Sequence, residues 1–112
     1  MQLTGTSILG LGLALFATRA TAHFATIEWY DGADCTGKLI GTSEDAAAGM
    51  CIWLTGGGSV RSIKYADVPN ELHLFQSGGD HDACTNGFQG SEQGSGCSTA
   101  PTGVNWESVA LT

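Results

Sequence analysis

Short runs of alternating hydrophobic and polar residues, separated by turn residues, fill this chain from position 24 to its end. Residues 24–30 are rich in aromatic and β-branched side chains and stop at the turn dipeptide Asp31-Gly32. Residues 59–65 alternate without a break, as expected of a strand with one buried face. The same pattern predicts further strands at residues 38–41, 50–54, 71–76 and 104–111.

Two segments interrupt this pattern. Residues 43–49 predict one helical turn, because Ser43 can cap it, two acidic residues follow, and Gly49 suits its exit. Residues 87–97 are rich in Gly, Ser and Gln, so we expect short or irregular strands there. No amphipathic helix of useful length is present, and the chain is therefore predicted to be all-β, with eight short strands.

A loose internal repeat organises these strands. Tyr30 aligns with Phe75, Cys35 with Cys84, Cys51 with Cys97, and Ser59-Val60 with Ser108-Val109. The order of the features is kept while their spacings change, which is typical of fixed strands joined by variable turns. We predict motif one over residues 23–66 and motif two over residues 67–112, linked by residues 67–70 within one small domain.

Residues 1–22 have the features of a secretory signal peptide. An apolar run at residues 8–17 is too short to span a bilayer, and the small-residue cleavage site Ala20-Thr21-Ala22 follows it. Cleavage after Ala22 would release an extracellular domain of residues 23–112. A buried amino-terminal helix is the alternative.

The predicted mature chain is acidic. It keeps three bases, Lys38, Arg61 and Lys64, against all eleven acids, which gives a net charge of −8. Phosphate backbones and anionic lipid heads repel such a surface, so nucleic acids and membranes are poor partners. Solubility is the simplest explanation of this charge, and an acidic binding face is the alternative.

Four cysteines in a small exported chain predict structural disulfides. Their spacings do not match C-x-x-C motifs, so neither a zinc site nor a redox pair is expected. Four cysteines allow three pairings. The repeat favours pairing within each motif, which joins Cys35 to Cys51 and Cys84 to Cys97.

Residues 30–37 resemble the βγ-crystallin Greek-key signature: an aromatic residue, four residues, a second aromatic, any residue, then Gly. Cys35 stands at the position of the second aromatic, and residues 59–63 resemble that family's closing strand. The resemblance implies a βγ-crystallin-like sandwich of two four-stranded Greek-key motifs, with Gly37 at positive φ. Residues 54–59 and 103–108 lack the paired oxygen ligands of the family's calcium loop, so no calcium site is predicted.

The chain also resembles small secreted fungal proteins of the effector type, which combine a signal peptide, a short mature chain and two cysteine pairs. That resemblance implies a non-enzymatic, virulence-associated interaction protein that acts on a host at the extracellular interface. Its expected partner is a host protein or a cell-wall component, bound by a monomer without a cofactor. The alternative is a secreted carbohydrate- or metal-binding module, because fold alone does not fix function.

Two groups of polar residues are candidates for a site. His23 would become the mature amino terminus, where its amine and imidazole could bind copper with His73 or His81 as a third ligand, the arrangement that a copper-dependent oxidase would need. A terminal residue without a role is the simpler interpretation, so we predict neither a metal nor a catalytic residue. Asp80, His81 and Asp82 lie on a loop that is longer than its counterpart in motif one. Inserted loops on rigid frames suit recognition, so we predict that these three residues contribute to a partner surface.

Three tryptophans complete the list of candidates. Burial in a small β core is the simpler explanation for Trp29, Trp53 and Trp106, because aromatic side chains dominate the area buried in such cores. A flat sugar-binding face is the alternative. Trp29 is its strongest candidate, because it has the opposite parity to Phe24 and Tyr30 in the predicted first strand.

Overall fold

The computed structural model describes residues 24–78 and 83–112, which form antiparallel β-structure. The strands are β1 (Ala25–Tyr30), β2 (Leu39–Ala46), β3 (Cys51–Trp53), β4 (Ser62–Gln76), β5 (Gly90–Thr99) and β6 (Trp106–Leu111), and a 3-10 turn lies at Ala33–Cys35. The described residues contain no α-helix. The prediction of a disulfide-stabilised all-β fold is confirmed.

The long strands β4 and β5 each run through both halves of the sheet. Residues 62–66 of β4 lie between β1 and residues 96–99 of β5, and β1 in turn pairs with β2. Residues 72–76 of β4 pair with β6, which pairs with β3, while residues 90–92 of β5 pair with β4 from its other side. The predicted eight short strands differ from the structure, because the described residues form six strands and two of these span both halves.

β4 bends at the segment that was predicted to link the two motifs. Asp67 has a φ of 60°, and the register with β5 shifts on both sides of Val68. Pro69 lies in the irregular stretch, where a residue without an amide hydrogen is tolerated. Residues 67–70 therefore redirect β4 from β1 towards β6 without ending it.

The predicted helical turn at residues 43–49 is wrong. β2 continues to Ala46, with Ser43 opposite Ile27 and Ala46 opposite Ala25 of β1. Ala46 is fully buried in this pairing, and such tertiary burial overrides a local helix preference. The predicted role of Gly49 as a turn residue at the end of this segment is confirmed, because Gly49 has a φ of 88° in the turn that leads to β3.

All four cysteines form disulfides, as predicted, but the predicted pairing is wrong. Cys35 is joined to Cys97, and Cys51 is joined to Cys84. β3 pairs with β6 and so carries Cys51 into the second half of the fold, while the end of β5 pairs with β4 beside β1 and carries Cys97 into the first. Each disulfide therefore lies within one half of the fold, although its two cysteines belong to different sequence motifs.

The turns that carry Cys35 and Cys84 have the same backbone form. The pairs Asp34-Cys35 and Ala83-Cys84 all have φ between 56° and 58°. The amide of Cys35 donates to Ser62 Oγ at 2.8 Å, and that of Cys84 donates to Ser108 Oγ at 3.0 Å. Both serines are fully buried. The structure thus matches Ser62 with Ser108, whereas the sequence alignment matched Ser59 with Ser108.

The core is built from the inward faces of both halves. In β1 the buried residues are Ala25, Ile27 and Trp29. The residues on the opposite face of the strand, among them Thr26 and Tyr30, are partly exposed. Trp29 therefore lies in the core, as the simpler interpretation predicted. Its alternative place on a surface for binding is wrong, because the apolar residues Ala25 and Ile27 share its parity. Trp106 is also buried, and its indole nitrogen donates to the Ser98 carbonyl at 3.1 Å.

Glycines in β5 give two aromatic rings room to lie against the strand. A Cβ atom at Gly96 would stand 2.8 Å from the Tyr65 hydroxyl oxygen, and one at Gly90 would stand 3.1 Å from the Trp106 ring. The Gly-rich composition of residues 87–97 predicted short or irregular strands. β5 instead runs for ten residues, because large rings on neighbouring strands replace the missing side chains.

We expect Tyr65 to lose its proton at a higher pH than Tyr30, the other tyrosine of the chain. Burial raises the pKa of Tyr65 to about 12, and the hydrogen bond from its hydroxyl to Glu92 and the charge of Glu92 act in the same direction. The pKa of Tyr30 is also raised, chiefly by its hydrogen bond to Glu28. Absorbance titration should therefore show a step near pH 12 that Tyr65→Phe removes and Tyr30→Phe keeps.

The same titration has a defined effect on stability. A tyrosine in the unfolded chain ionises near pH 10, so raising the pKa of Tyr65 stabilises the fold fully below that pH. This contribution should be lost as the pH rises from about 10 to about 12. The fall in the free energy of unfolding over that range should be smaller in Tyr65→Phe than in Tyr30→Phe, and an equal fall in both variants would contradict the assignment.

Candidate functional site

β2 and β3 are the end strands of the path β2-β1-β4-β6-β3, and the edges of these two strands face each other across a groove. We call this space, between residues 40–46 and residues 50–57, the edge groove. At one end of it lies a cavity of about 160 Å³. The cavity is lined by Trp29, Ile40, Gly41, Thr42, Ser43, Trp53, Leu54, Thr55 and Gly57.

Trp53 is the main exposed side chain of the edge groove. It is the last residue of β3, and 50% of its surface is exposed, whereas Ile52 and Leu54 on either side of it are buried. Strand alternation explains this: the neighbours of Trp53 point into the core, so its own indole must point away from it. Trp53 borders the cavity on one side and a wider hollow of about 470 Å³ on the other.

Exposed large hydrophobic residues are concentrated around the edge groove. Six such residues occur in the part of the chain that the structure describes, and four of them belong to β2, β3 or the turn between these strands. These four are Leu39, Ile40, Met50 and Trp53, and the other two are Phe24 and Phe88. Single exposed hydrophobic residues need no explanation, but a cluster of them beside a concavity is typical of binding surfaces.

Gly41 gives the cavity its depth. A Cβ atom at this position would stand 2.8 Å from Leu54 Cδ2 and 3.9 Å from Trp29 Cδ1. The side chains of Leu54 and Trp29 therefore lie directly beneath Gly41 and form the apolar floor of the cavity. Trp29 is only 1% exposed, so it supports the site from below and offers little surface of its own.

The electrostatic character of the edge groove changes along its length. Every residue that lines the 160 Å³ cavity has a neutral side chain, and three of these residues, Thr42, Ser43 and Thr55, carry hydroxyl groups. Glu44 and Asp45 line the adjoining hollow together with Met50 and Ile52. Ser43 borders both spaces, so it stands at the middle of the edge groove.

Most of the polar residues predicted to form a site lie outside the described residues. These are His23 and the loop residues Asp80, His81 and Asp82. His73, the other proposed copper ligand, lies on β4. Its Nε2 atom lies 2.8 Å from Glu71 Oε1, and its ring stacks on that of Phe88 with centroids 3.8 Å apart.

The described residues contain neither a candidate metal site nor a helix that could cross a membrane. Within residues 24–78 and 83–112, no three His, Cys, Asp or Glu side chains are grouped so that they could hold a metal ion. None of the helices in that same part of the chain has the length and apolar character needed to cross a membrane.

Apart from Trp53, the residues of β2 and β3 that form the edge groove are not among the candidates that the sequence indicated. The prediction that Trp53 lies in the core is wrong, because half of its surface is exposed. No sequence pattern pointed to Thr42, Ser43 or Thr55. A usable signal existed, because Ile52 and Leu54 flank Trp53 at the buried parity of a short strand. The proximity of β2 and β3 had no comparable signal, since it depends on which strands close the sheet.

Comparison with protein-family models, with curated proteins and with solved structures gives no significant match. The candidate site is therefore described by three structural features alone. These are the exposed indole of Trp53, the neutral cavity beside it, and the adjoining hollow lined by Glu44 and Asp45.

Proposed function

We propose that this chain is a secreted, non-enzymatic binding protein of the effector type. It recognises a host protein or cell-wall component at the extracellular interface through the edge groove. The observation that carries the proposal is the position of Trp53, a half-exposed indole between two concavities at the end of β3.

The crosslinks and the amino terminus support the extracellular compartment in this proposal. Two disulfides indicate an oxidising environment, because such bonds form and persist outside the reducing cytosol. Residues 1–22 carry the pattern of a signal peptide, with an apolar run and a small-residue cleavage site. Secretion and removal of these residues would deliver the disulfide-bonded domain to the place where it acts.

We also propose that the fold is a βγ-crystallin-like pair of Greek-key motifs. Two features support this. β3 of the first half is exchanged into the second half, and the end of β5 is exchanged into the first. The cysteine turns also match in both halves, each with an amide bound to a buried serine of the closing strand. A frame of this kind is rigid at the cysteine turns and leaves β2 and β3 to form the recognition surface.

The chemistry of the edge groove favours binding over catalysis. The cavity is lined by neutral side chains, and its hydroxyl groups belong to Thr42, Ser43 and Thr55. A hydroxyl becomes a useful nucleophile when an adjacent base activates it, and the lining of this cavity supplies no such base. The same lining suits recognition, since apolar walls with a few fixed polar groups are typical of binding sites.

A matched pair of charge-adding variants tests the role of the edge groove. Ser43→Arg places a long cation at the middle of the groove, while Ser91→Arg places the same charge on an exposed residue of β5. The mature proteins are labelled and applied to host cell walls and to immobilised extracellular host proteins. We expect Ser43→Arg to lower the retained fraction at least tenfold and Ser91→Arg to leave it nearly unchanged.

Two results would count against the proposal. Equal retention of both variants would place the partner surface outside the edge groove. Accumulation of the full chain inside producing cells, with Met1 still attached, would contradict secretion. Intact mass spectrometry of the culture fluid checks the second point, where we expect a chain that begins at His23 and is lighter by four hydrogen atoms than the reduced chain because of its two disulfides.

A further inference from the structure

We infer that the cavity beside Trp53 binds a neutral carbohydrate chain, with one sugar ring stacked on the indole of Trp53. This inference rests on the proposed function and specifies its ligand class. The relevant features are the exposed indole, the three hydroxyl groups of the cavity, and the acidic hollow that follows along the edge groove.

The flat apolar surface of the Trp53 indole is complementary to the C–H face of a sugar ring. A pyranose has faces of C–H groups and a rim of hydroxyl groups, so it is apolar above and below and polar around its edge. Trp53 offers a half-exposed flat apolar surface, and a rigid aromatic side chain loses little conformational entropy when it is covered. Stacking removes apolar area of both partners from water, which is the main source of affinity at such a contact.

The cavity wall in turn matches the rim of the sugar. Three of the residues that line the cavity, Thr42, Ser43 and Thr55, carry hydroxyl groups, each of which can donate and accept a hydrogen bond. Sugar hydroxyls have the same double capacity. The cavity of about 160 Å³ has room for several water molecules, so it can receive a ring edge or a substituent while the ring itself covers Trp53.

The residues around the cavity also restrict the charge of the ligand. The cavity lining contains no ionisable side chain, and the next hollow along the edge groove is lined by Glu44 and Asp45. These carboxylates repel uronic acids, sulfates and phosphates, but they accept hydrogen bonds from neutral hydroxyl groups. A chain of neutral sugars can therefore extend from the Trp53 cavity towards the acidic hollow, whereas an anionic polysaccharide is disfavoured there.

The shape of the groove favours this ligand over an inserted peptide strand. A strand added between β2 and β3 would need about 4.8 Å of separation from each of them. At Gly41 the Leu54 side chain lies so close beneath β2 that a single added Cβ would meet it at 2.8 Å. The cavity is thus closed at its floor, which suits a ring that stacks from outside better than a strand that enters between the edges.

The test uses the different exposure of the three tryptophans. Trp29 and Trp106 are 1% and 2% exposed, so the indole open to an aqueous quencher is Trp53. Oligosaccharides of glucose and of N-acetylglucosamine, in both β-1,3 and β-1,4 linkage where available, are titrated against the mature protein. We expect at least one neutral oligosaccharide to shift the emission to shorter wavelength in a saturable way and to protect Trp53 from acrylamide.

Variants then locate the binding. Trp53→Ala should abolish saturable binding of the neutral oligosaccharide, as measured by calorimetry. Thr42→Val and Thr55→Val replace a hydroxyl by a methyl group, and each should weaken binding by up to about tenfold, the equivalent of about 1.4 kcal/mol for a lost hydrogen bond. Phe88→Ala removes an exposed aromatic residue outside the cavity lining and should leave binding unchanged.

Several outcomes would overturn the inference. These are a lack of saturable response to every neutral oligosaccharide, unchanged affinity in Trp53→Ala, and tighter binding of oligogalacturonate than of neutral sugars. If the oligosaccharides fail while Ser43→Arg still lowers retention on immobilised host proteins, the edge groove binds a protein. In that case the proposed function stands without the carbohydrate, whereas loss of the Ser43→Arg effect removes both.

Discussion

Removing one observed disulfide, by replacing Cys51 and Cys84 together with Ser, should lower the free energy of unfolding by about 4 kcal/mol. This crosslink joins positions 33 residues apart and restricts the unfolded chain accordingly. Replacing Cys35 and Cys97 together removes the crosslink over 62 residues and should have an effect of similar size, because the inner disulfide already shortens the loop that the outer one closes. Urea unfolding of the purified mature proteins measures both values.

The control is a mixed double variant that takes one cysteine from each pair. Cys35→Ser with Cys51→Ser should break both crosslinks and leave free thiols on Cys84 and Cys97. The combined loss would consume most of the 5–15 kcal/mol typical of a domain, so we expect this variant to be largely unfolded, with two thiols per chain. Pairing within each motif predicts the reverse: one remaining disulfide and no free thiol in the mixed variant.

Local sequence patterns were sufficient to predict the fold class and most of the strands. Alternation over residues 24–30 and 104–111 predicted β1 and β6 closely, because one buried face imposes a period of two. Short runs bounded by turn residues also predicted β3. These elements are set by neighbours in the sequence and by the burial of one face, which is information that a single chain contains.

The parts that could not be predicted depend on contacts between distant residues. Ser43 to Ala46 have the composition of a helical turn, yet they form a strand because β1 supplies their hydrogen-bonding partners. The disulfide pairing was missed for a similar reason. Cys35 and Cys51 are near in sequence, but β3 pairs with β6 in the second half of the fold and so places Cys51 away from Cys35. The spacing of cysteines along the chain carries no information about such strand pairing.

The candidate site shows the same limit more sharply. Its residues come from β2, β3 and the turn after β3, and they meet because these strands end the path of the sheet. Parity within one strand can show that Trp53 is exposed once Ile52 and Leu54 are known to be buried. It cannot show that Thr42 and Ser43 face Trp53 across a groove, because that requires the order of the strands in space.

The assignment of one tryptophan to the core and another to the surface gives the second large expected effect. Trp29→Ala should lower the free energy of unfolding by about 3–5 kcal/mol, the usual cost of deleting a buried aromatic side chain. Trp53→Ala removes the same atoms from a half-exposed position on an end strand, and its cost should be about 1 kcal/mol or less. Both values are measured by urea unfolding with the disulfides intact.

The pair of variants is informative because the chemical change is identical and only the location differs. Trp29 contributes to the floor beneath Gly41, so Trp29→Ala should also weaken binding at the edge groove, but through loss of the folded state and of the support for Leu54. Trp29→Phe refills most of that space and should recover both stability and binding in part. Trp53→Phe keeps an exposed ring and should retain measurable binding at unchanged stability.

An unfolding midpoint of Trp29→Ala equal to that of the unsubstituted protein would mean that Trp29 is not in the core. The edge groove would then have no apolar floor beneath Gly41.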